Sequence, residues 1–211
     1  MQQRQQHSLR LLAFLLITLF ALSLGVLLFE LTLTRIFSII LWYDYAFMAI
    51  SVAFFGLGIG ALIVHTRKNT IVRKRGNLPS TIIQSTIAFG ISIIIFLFII
   101  GHLVPPSTSF LYLFYLTSSI PFFFAGMSMA MIYFTMTREI SRLYFADLAG
   151  AAAATLILDP IMRALGAESA LISISLLVIG PSIIAALVGA QLYTKKIVMI
   201  LLETVLAVSA V

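Results

Sequence analysis

The sequence has no cysteine and few charged side chains, and each shortage excludes a class of protein. Only 9% of the 211 residues are charged, with 13 basic and 7 acidic side chains, whereas a soluble domain carries about 25% charged residues. So few charges cannot cover the surface of a water-soluble globule, which excludes a soluble enzyme. Without cysteine, disulfide frameworks, thiolate metal sites and cysteine nucleophiles are excluded as well.

What the sequence has instead is long apolar runs: 62% of its residues are hydrophobic, and its mean hydropathy is +1.15. A helix of about 20 apolar residues crosses the roughly 30 Å hydrocarbon core of a bilayer. The sequence therefore predicts an all-α, polytopic transmembrane helical bundle of about seven spans, the last one truncated. After a basic N-terminus at 1–10, the predicted spans are 11–29, 45–64, 81–104, 110–136, 143–162, 170–192 and 197–211.

The seventh run is still apolar at Val211, so we expect the sequence to be the N-terminal part of a longer protein. The first run is longer than the 7–15 residue core of a signal peptide, which favours a membrane span over a cleaved leader.

The basic residues divide unequally between the two sides of this predicted bundle. Only Arg35 and Arg163 fall on one side, and eleven of the thirteen fall on the other: Arg4, Arg10, Arg67, Lys68, Arg73, Lys74, Arg75, Arg138, Arg142, Lys195 and Lys196. By the positive-inside rule, the N-terminus is predicted to be cytoplasmic. The net charge of +6 is then a topology signal and indicates no nucleic-acid partner. The basic loop 67–75 could also contact anionic lipid headgroups of the surrounding bilayer.

A few charged residues fall inside or close to the predicted spans, where each costs about 2.5–3.5 kcal/mol and needs a partner or a purpose. Glu30 and Arg35 are five residues apart, so on one straight helix they point about 140° away from each other. Partners on other helices, or a break between them, are expected. Asp147 shares a helix face with Tyr144, and its candidate partners are Arg142, Arg35 or a backbone donor.

We identify Glu30, Arg35, Tyr144 and Asp147 as a candidate intramembrane polar site. Two interpretations of Asp147 follow. It binds a proton or a cation, or it is a hydrogen-bonded clamp between helices. Asp159 and Pro160 are predicted to end the fifth helix near the outer interface.

Small residues in two of the spans predict close helix packing. Gly56 and Gly60 form a GxxxG face, and Gly150 with Ala154 forms a similar small-residue face. The Gly56–Gly60 segment superficially resembles a dinucleotide-binding loop, but such a loop must follow a strand and open a helix. Here it lies inside an apolar run, so no phosphate site is predicted.

No catalytic or cofactor motif is present. The three histidines, His7, His65 and His102, are isolated and lack metal-ligand spacing. The G-x-S-x-G context of a serine nucleophile is missing too. The sequence therefore predicts no catalytic residue, no cofactor and no metal site in this chain.

Four segments in order resemble the membrane region of membrane-integrated spermidine synthase-like proteins. They are the E-x4-R stretch at 28–38, the block at 41–60, and the segments 120–126 and 143–151. Asp44 departs from the pattern, because members of that family often have histidine there. The resemblance implies a bacterial inner (plasma) membrane location and a catalytic, Rossmann-like aminopropyltransferase-related domain beyond Val211, since the glycine-rich motif and polyamine-site acids of that domain are absent here.

Three functions follow as hypotheses. The first is a membrane domain that anchors a downstream transferase domain and passes a cationic polyamine to it, with Glu30, Tyr144 and Asp147 as acidic and aromatic contacts. The second is a small secondary transporter or exporter that uses Asp147 as its coupling acid. The third is a purely structural helical bundle.

Overall fold

The computed structural model describes residues 2–40, 45–67, 78–102 and 110–189. Five helices follow in order: α1 (Gln2–Ile40), α2 (Met48–Thr66), α3 (Leu78–His102), α4 (Leu111–Thr135) and α5 (Ile140–Gly189), with a 3-10 turn at Thr137–Glu139 before α5. No strand occurs within these ranges, so the all-α prediction is confirmed. The predicted seventh span, Asp44 and most of the basic loop lie outside the described residues.

Within the described ranges, five helical segments are long and apolar enough to cross a membrane: Leu11–Ile39, Met48–Thr66, Pro79–His102, Leu111–Thr135 and Thr137–Ala167. A shorter apolar helix, Ser169–Gly180, follows them. The helical form has a physical reason, because hydrocarbon offers no partner to free backbone groups and a helix bonds its own. Among the described residues, Ser175 Oγ is buried without a hydrogen-bond partner, but many other hydroxyl side chains donate to a backbone carbonyl one turn earlier in their own helix. Thr32, for example, donates to the carbonyl of Leu28 at 2.7 Å.

Two helices, α1 and α5, run further than the sequence predicts, and α4 contains a proline within its length. α1 is unbroken through Glu30 and Arg35 and ends at Ile40. α4 continues through Pro121, which is buried inside it. Asp159 and Pro160 do not end their helix, contrary to the prediction. Proline removes one backbone donor, but the helix extends beyond it to Gly166, where φ is 75°.

Gly166 is where the chain turns back. Before it, Asp159 lies beside Arg35 near the end of α1. After it, Val178 packs against Gly25, ten residues earlier on α1. α5 is therefore two helices joined at Gly166, because a left-handed φ is accessible to glycine and strained for other residues.

The helices form two parallel pairs. α1 packs most extensively against α5, and α2 against α4. Ser23 contacts Asp147, and Arg35 contacts Asp159. Both contacts join residues 124 positions apart, so α1 and the first part of α5 run in the same direction at a constant register.

An aromatic cluster joins α1, α3 and α4 at the centre of the bundle. The ring of Phe29 meets Phe96 and Phe89 edge-to-face, at centroid distances of 5.6 Å and 6.5 Å, and meets Phe122 at a tilt of 42° and 4.9 Å. Phe29 and Phe122 are fully buried. Such pairs contribute about 0.5–1.5 kcal/mol each beyond the area they bury, and in a bilayer this packing is a main source of helix association.

Candidate functional site

The carboxylate of Asp147 lies at a point where three helices meet. The hydroxyl of Tyr133, in the last turns of α4, donates to Asp147 Oδ2 at 2.6 Å. Ser23 Oγ on α1 donates to the backbone carbonyl of Asp147 at 2.8 Å. Asp147 and Tyr133 are both partly buried. One residue of α5 is thus tied to α1 through its backbone and to α4 through its side chain.

The structure does not bring the residues expected from the sequence to this carboxylate. Tyr144 leaves 59% of its surface uncovered. Arg142 pairs with Glu139 at 3.1 Å, and Arg35 pairs with Asp159. In the part of the chain that the structure describes, no lysine, arginine or histidine comes within ion-pair distance of Asp147. Its partner is a neutral hydroxyl.

Arg35 belongs to a second polar cluster at the other end of α1. Arg35 Nη2 lies 3.5 Å from Asp159 Oδ1, and Arg163 Nε lies 2.7 Å from Asp159 Oδ2. All three side chains are about half exposed or more, so water screens these pairs and they contribute little to stability. The cluster brings together the two arginines that the sequence assigns to the sparsely charged side.

Glu30 stands apart from both clusters. It is partly buried on α1, and its backbone carbonyl accepts a hydrogen bond from Thr34 at 3.0 Å. Its carboxylate has no hydrogen-bond or ion-pair partner among the described residues. The structure therefore keeps Glu30 apart from Asp147, and among the described residues no hydrogen bond joins Tyr144 to the Asp147 carboxylate.

The constant register of α1 and α5 gives the relative depth of these groups. At an offset of 124 residues, Arg142 is level with Thr18 of α1, which is 17 residues before Arg35. That separation is about 26 Å along the axis at 1.5 Å per residue, close to the roughly 30 Å of a hydrocarbon core. Asp147 and Glu30 each lie five residues inside one of these levels, or about 7–8 Å.

The GxxxG residues of α2 face the backbone of α4. A Cβ placed on Gly56 would lie 2.6 Å from the carbonyl oxygen of Ser119, and one on Gly60 would lie 2.8 Å from the amide nitrogen of Met127. Gly126 makes the reciprocal approach to the backbone of Leu57. Gly58, between the two glycines, has open space around it.

The small residues of α5 face α1. A Cβ on Gly150 would meet the backbone of Phe20 and Leu24, with the Leu24 amide nitrogen at 3.1 Å. Ala154, one turn later, is fully buried in the core. This close approach places Ser23 beside the backbone of Asp147.

Three residues that make these contacts were not predicted as site or packing residues from the sequence: Tyr133, Ser23 and Gly126. The contact of Tyr133 with Asp147 could have been anticipated from the sequence, because the short connection between Thr135 and Ile140 keeps the end of α4 next to the start of α5.

Chemically, the Asp147 site offers one carboxylate with one hydroxyl donor, and no basic side chain pairs with it among the described residues. In the described ranges, no three histidine or acidic side chains come together in a group that could hold a metal ion. A proton or an organic cation is the ligand class that suits a single carboxylate inside a membrane span.

Comparison with protein-family models, with curated proteins and with solved structures found no match for this chain. The class of protein is therefore defined by its own fold: the part of the chain that the structure describes is an all-helical bundle with five helices long and apolar enough to cross a membrane.

Proposed function

We propose that this chain is a multi-span membrane domain in which Asp147 and Tyr133 bind a cation. The observation that carries the proposal is the 2.6 Å contact of Asp147 with a neutral hydroxyl, in a membrane-length helix and without a basic side chain beside it in the described structure. A carboxylate at membrane depth costs about 2.5–3.5 kcal/mol, and a cationic ligand offsets that cost.

We further propose that the basic end of the bundle faces the cytoplasm of a bacterial cell and that the chain has seven spans. The charge distribution along the sequence supports this orientation. The Asp147 site then lies nearer the cytoplasmic side of the bundle.

The resemblance to spermidine synthase-like proteins makes a polyamine the first candidate ligand. In this proposal the membrane domain anchors a transferase domain of the same protein and supplies it with the cation. The support comes from the sequence segments alone, together with the acidic character of the site.

The test is ligand-induced stabilisation of the purified protein in detergent. Spermidine at about 100 times its Kd stabilises the folded state by about 2.7 kcal/mol, which appears as a rise in melting temperature. We expect this rise for the unmodified protein and for Asp159→Asn, which alters an exposed acid in the other cluster. We expect no rise for Asp147→Asn. Equal stabilisation of Asp147→Asn and the unmodified protein would refute the proposal.

A second candidate function is secondary transport coupled to Asp147. It is favoured by the depth of this acid, about 7–8 Å inside the level of Arg142, where a transported proton or cation needs a relay. In proteoliposomes, transport predicts that Asp147→Asn abolishes substrate flux at normal protein abundance. Lower abundance with unchanged flux per molecule would favour a structural clamp instead.

A further inference from the structure

A groove of about 580 Å³ lies between α1 and α5 on the outside of the bundle. Its walls are apolar and come from Ile17 and Phe20 on one helix and Phe145 and Ala149 on the other. Ile17 and Phe145 leave 59% and 74% of their surfaces uncovered by the rest of the chain. In a membrane, this groove opens sideways into the lipid.

One end of the groove is polar. Ser141 and Arg142 line it there, and both are exposed. Arg142 uses Nη1 for its contact with Glu139, which leaves most of the five N–H donors of its guanidinium for another acceptor. Arg138 is exposed in the turn just before α5, so the segment 138–142 carries a net charge of +1.

The polar end also lies at the right depth for a headgroup. Arg142 marks one of two charged levels about 26 Å apart, and the groove extends from it to Ala149, about 10 Å toward the bilayer centre. A phosphate at Arg142 and Ser141 would therefore leave the attached acyl chain beside Phe20 and Phe145. Guanidinium groups bind phosphate oxygens through paired hydrogen bonds.

We propose that this groove is a binding site for one anionic phospholipid. Arg142 and Ser141 bind the phosphate, and the apolar walls hold the upper part of one acyl chain. The charge of the 138–142 segment and the depth of its arginine favour an anionic lipid over a zwitterionic one. The proposal is independent of the cation site, because Asp147 contacts Tyr133 on α4 and does not line the groove.

Native mass spectrometry of the full chain tests the proposal, with phosphatidylglycerol and phosphatidylcholine of identical acyl chains supplied in equal amounts. We expect the unmodified protein to retain phosphatidylglycerol preferentially. Arg142→Gln should lower that preference about fivefold, the effect of one basic side chain near an anionic headgroup. Glu139→Gln should raise it, because the guanidinium then loses its competing carboxylate.

Two further variants separate the groove from the general lipid surface. Ala149→Leu fills the groove and should lower retention of both lipids, whereas Ala152→Leu adds the same volume at an exposed position outside it and should have no effect. Arg163→Gln, in the other cluster, should leave the preference unchanged. An unchanged lipid preference in Arg142→Gln, or equal lipid retention by the two leucine variants, would overturn the proposal.

Discussion

At the scale of single residues, Asp147 and Glu30 carry the same free-energy cost of placing a carboxylate at membrane depth, but they differ in their hydrogen-bond partners. Both are acids inside a helix of membrane-spanning length, and both lie about 7–8 Å inside a charged level. Asp147 accepts a hydrogen bond from the hydroxyl of Tyr133, whereas the carboxylate of Glu30 has no partner in the described ranges. Substitutions of the two residues should therefore have different consequences.

Removing the donor to Asp147 should destabilise the fold. Tyr133→Phe deletes the hydroxyl that reaches Asp147 at 2.6 Å, and we expect the free energy of unfolding to fall by about 1 kcal/mol. The measurement is SDS-induced unfolding in mixed micelles. Tyr144→Phe is the matched control, because Tyr144 is largely exposed, and it should change stability by less than about 0.5 kcal/mol. An equal effect of both variants would argue against the pairing.

Neutralising Glu30 should affect the free energy of unfolding in the opposite direction to Tyr133→Phe. Glu30→Gln removes a charge that has no partner among the described residues. We expect the free energy of unfolding to stay the same or to rise by up to about 2 kcal/mol. The same SDS titration measures it. A loss of more than about 1 kcal/mol would mean that the carboxylate is bonded in the folded protein.

The helix-face rule explains why the sequence found the acid but missed its partner. Residues three or four apart share a face of one helix, so the rule pairs Asp147 with Tyr144 on its own helix. It carries no information about which neighbouring helix covers that face. The contact of Arg35 with Asp159, across 124 residues, is unpredictable for the same reason.

At the scale of helices, glycine positions determine how closely α2 and α4 approach. Gly60 faces the α4 backbone, while Gly58 faces open space on the same helix. Gly60→Ala should therefore lower the free energy of unfolding by about 1–3 kcal/mol through overpacking. Gly58→Ala should be neutral or stabilising by up to about 1 kcal/mol, because alanine favours the helix. Thermal unfolding of the two variants compares them directly, and equal destabilisation would contradict the α2–α4 interface.

The break in α5 at Gly166 is expected to require glycine because of its positive φ and not because of crowding by neighbouring atoms. A side chain at Gly166 would meet no atom within 4 Å, but φ is +75°. Gly166→Ala should therefore lower the free energy of unfolding by about 1–2 kcal/mol, although it creates no clash. If circular dichroism shows no loss of helix and thermal unfolding shows no loss of stability, the reversal of the chain at Gly166 does not require this backbone conformation.

Helix locations could be predicted from apolar runs, but helix ends could not. A run such as Met48–Thr66 is bounded by changes in hydrophobicity. Pro160 was expected to be an end, yet the helix continues to Gly166. Proline removes only one donor, whereas the left-handed backbone of Gly166 reverses the chain.

At the scale of the whole molecule, the charged groups define two levels and the acids lie between them. Arg142 and Glu139 mark one level, and Arg35 with Asp159 marks the other. Their separation of about 26 Å matches a hydrocarbon core. The sequence predicts this sidedness from charge counts, while the depth of Asp147 depends on the α1–α5 register, which only the folded chain provides.

The most direct test of this arrangement uses the absence of cysteine from the chain. Single cysteines at Thr137, Ala152 and Ala164, all exposed on the protein surface, are labelled with a membrane-impermeant maleimide in oriented vesicles. We predict that Thr137→Cys reacts only from the cytoplasmic side and Ala164→Cys only from the opposite side. Ala152→Cys should react only after detergent is added. Labelling of Thr137→Cys and Ala164→Cys from the same side, or of Ala152→Cys in intact vesicles, would contradict the account.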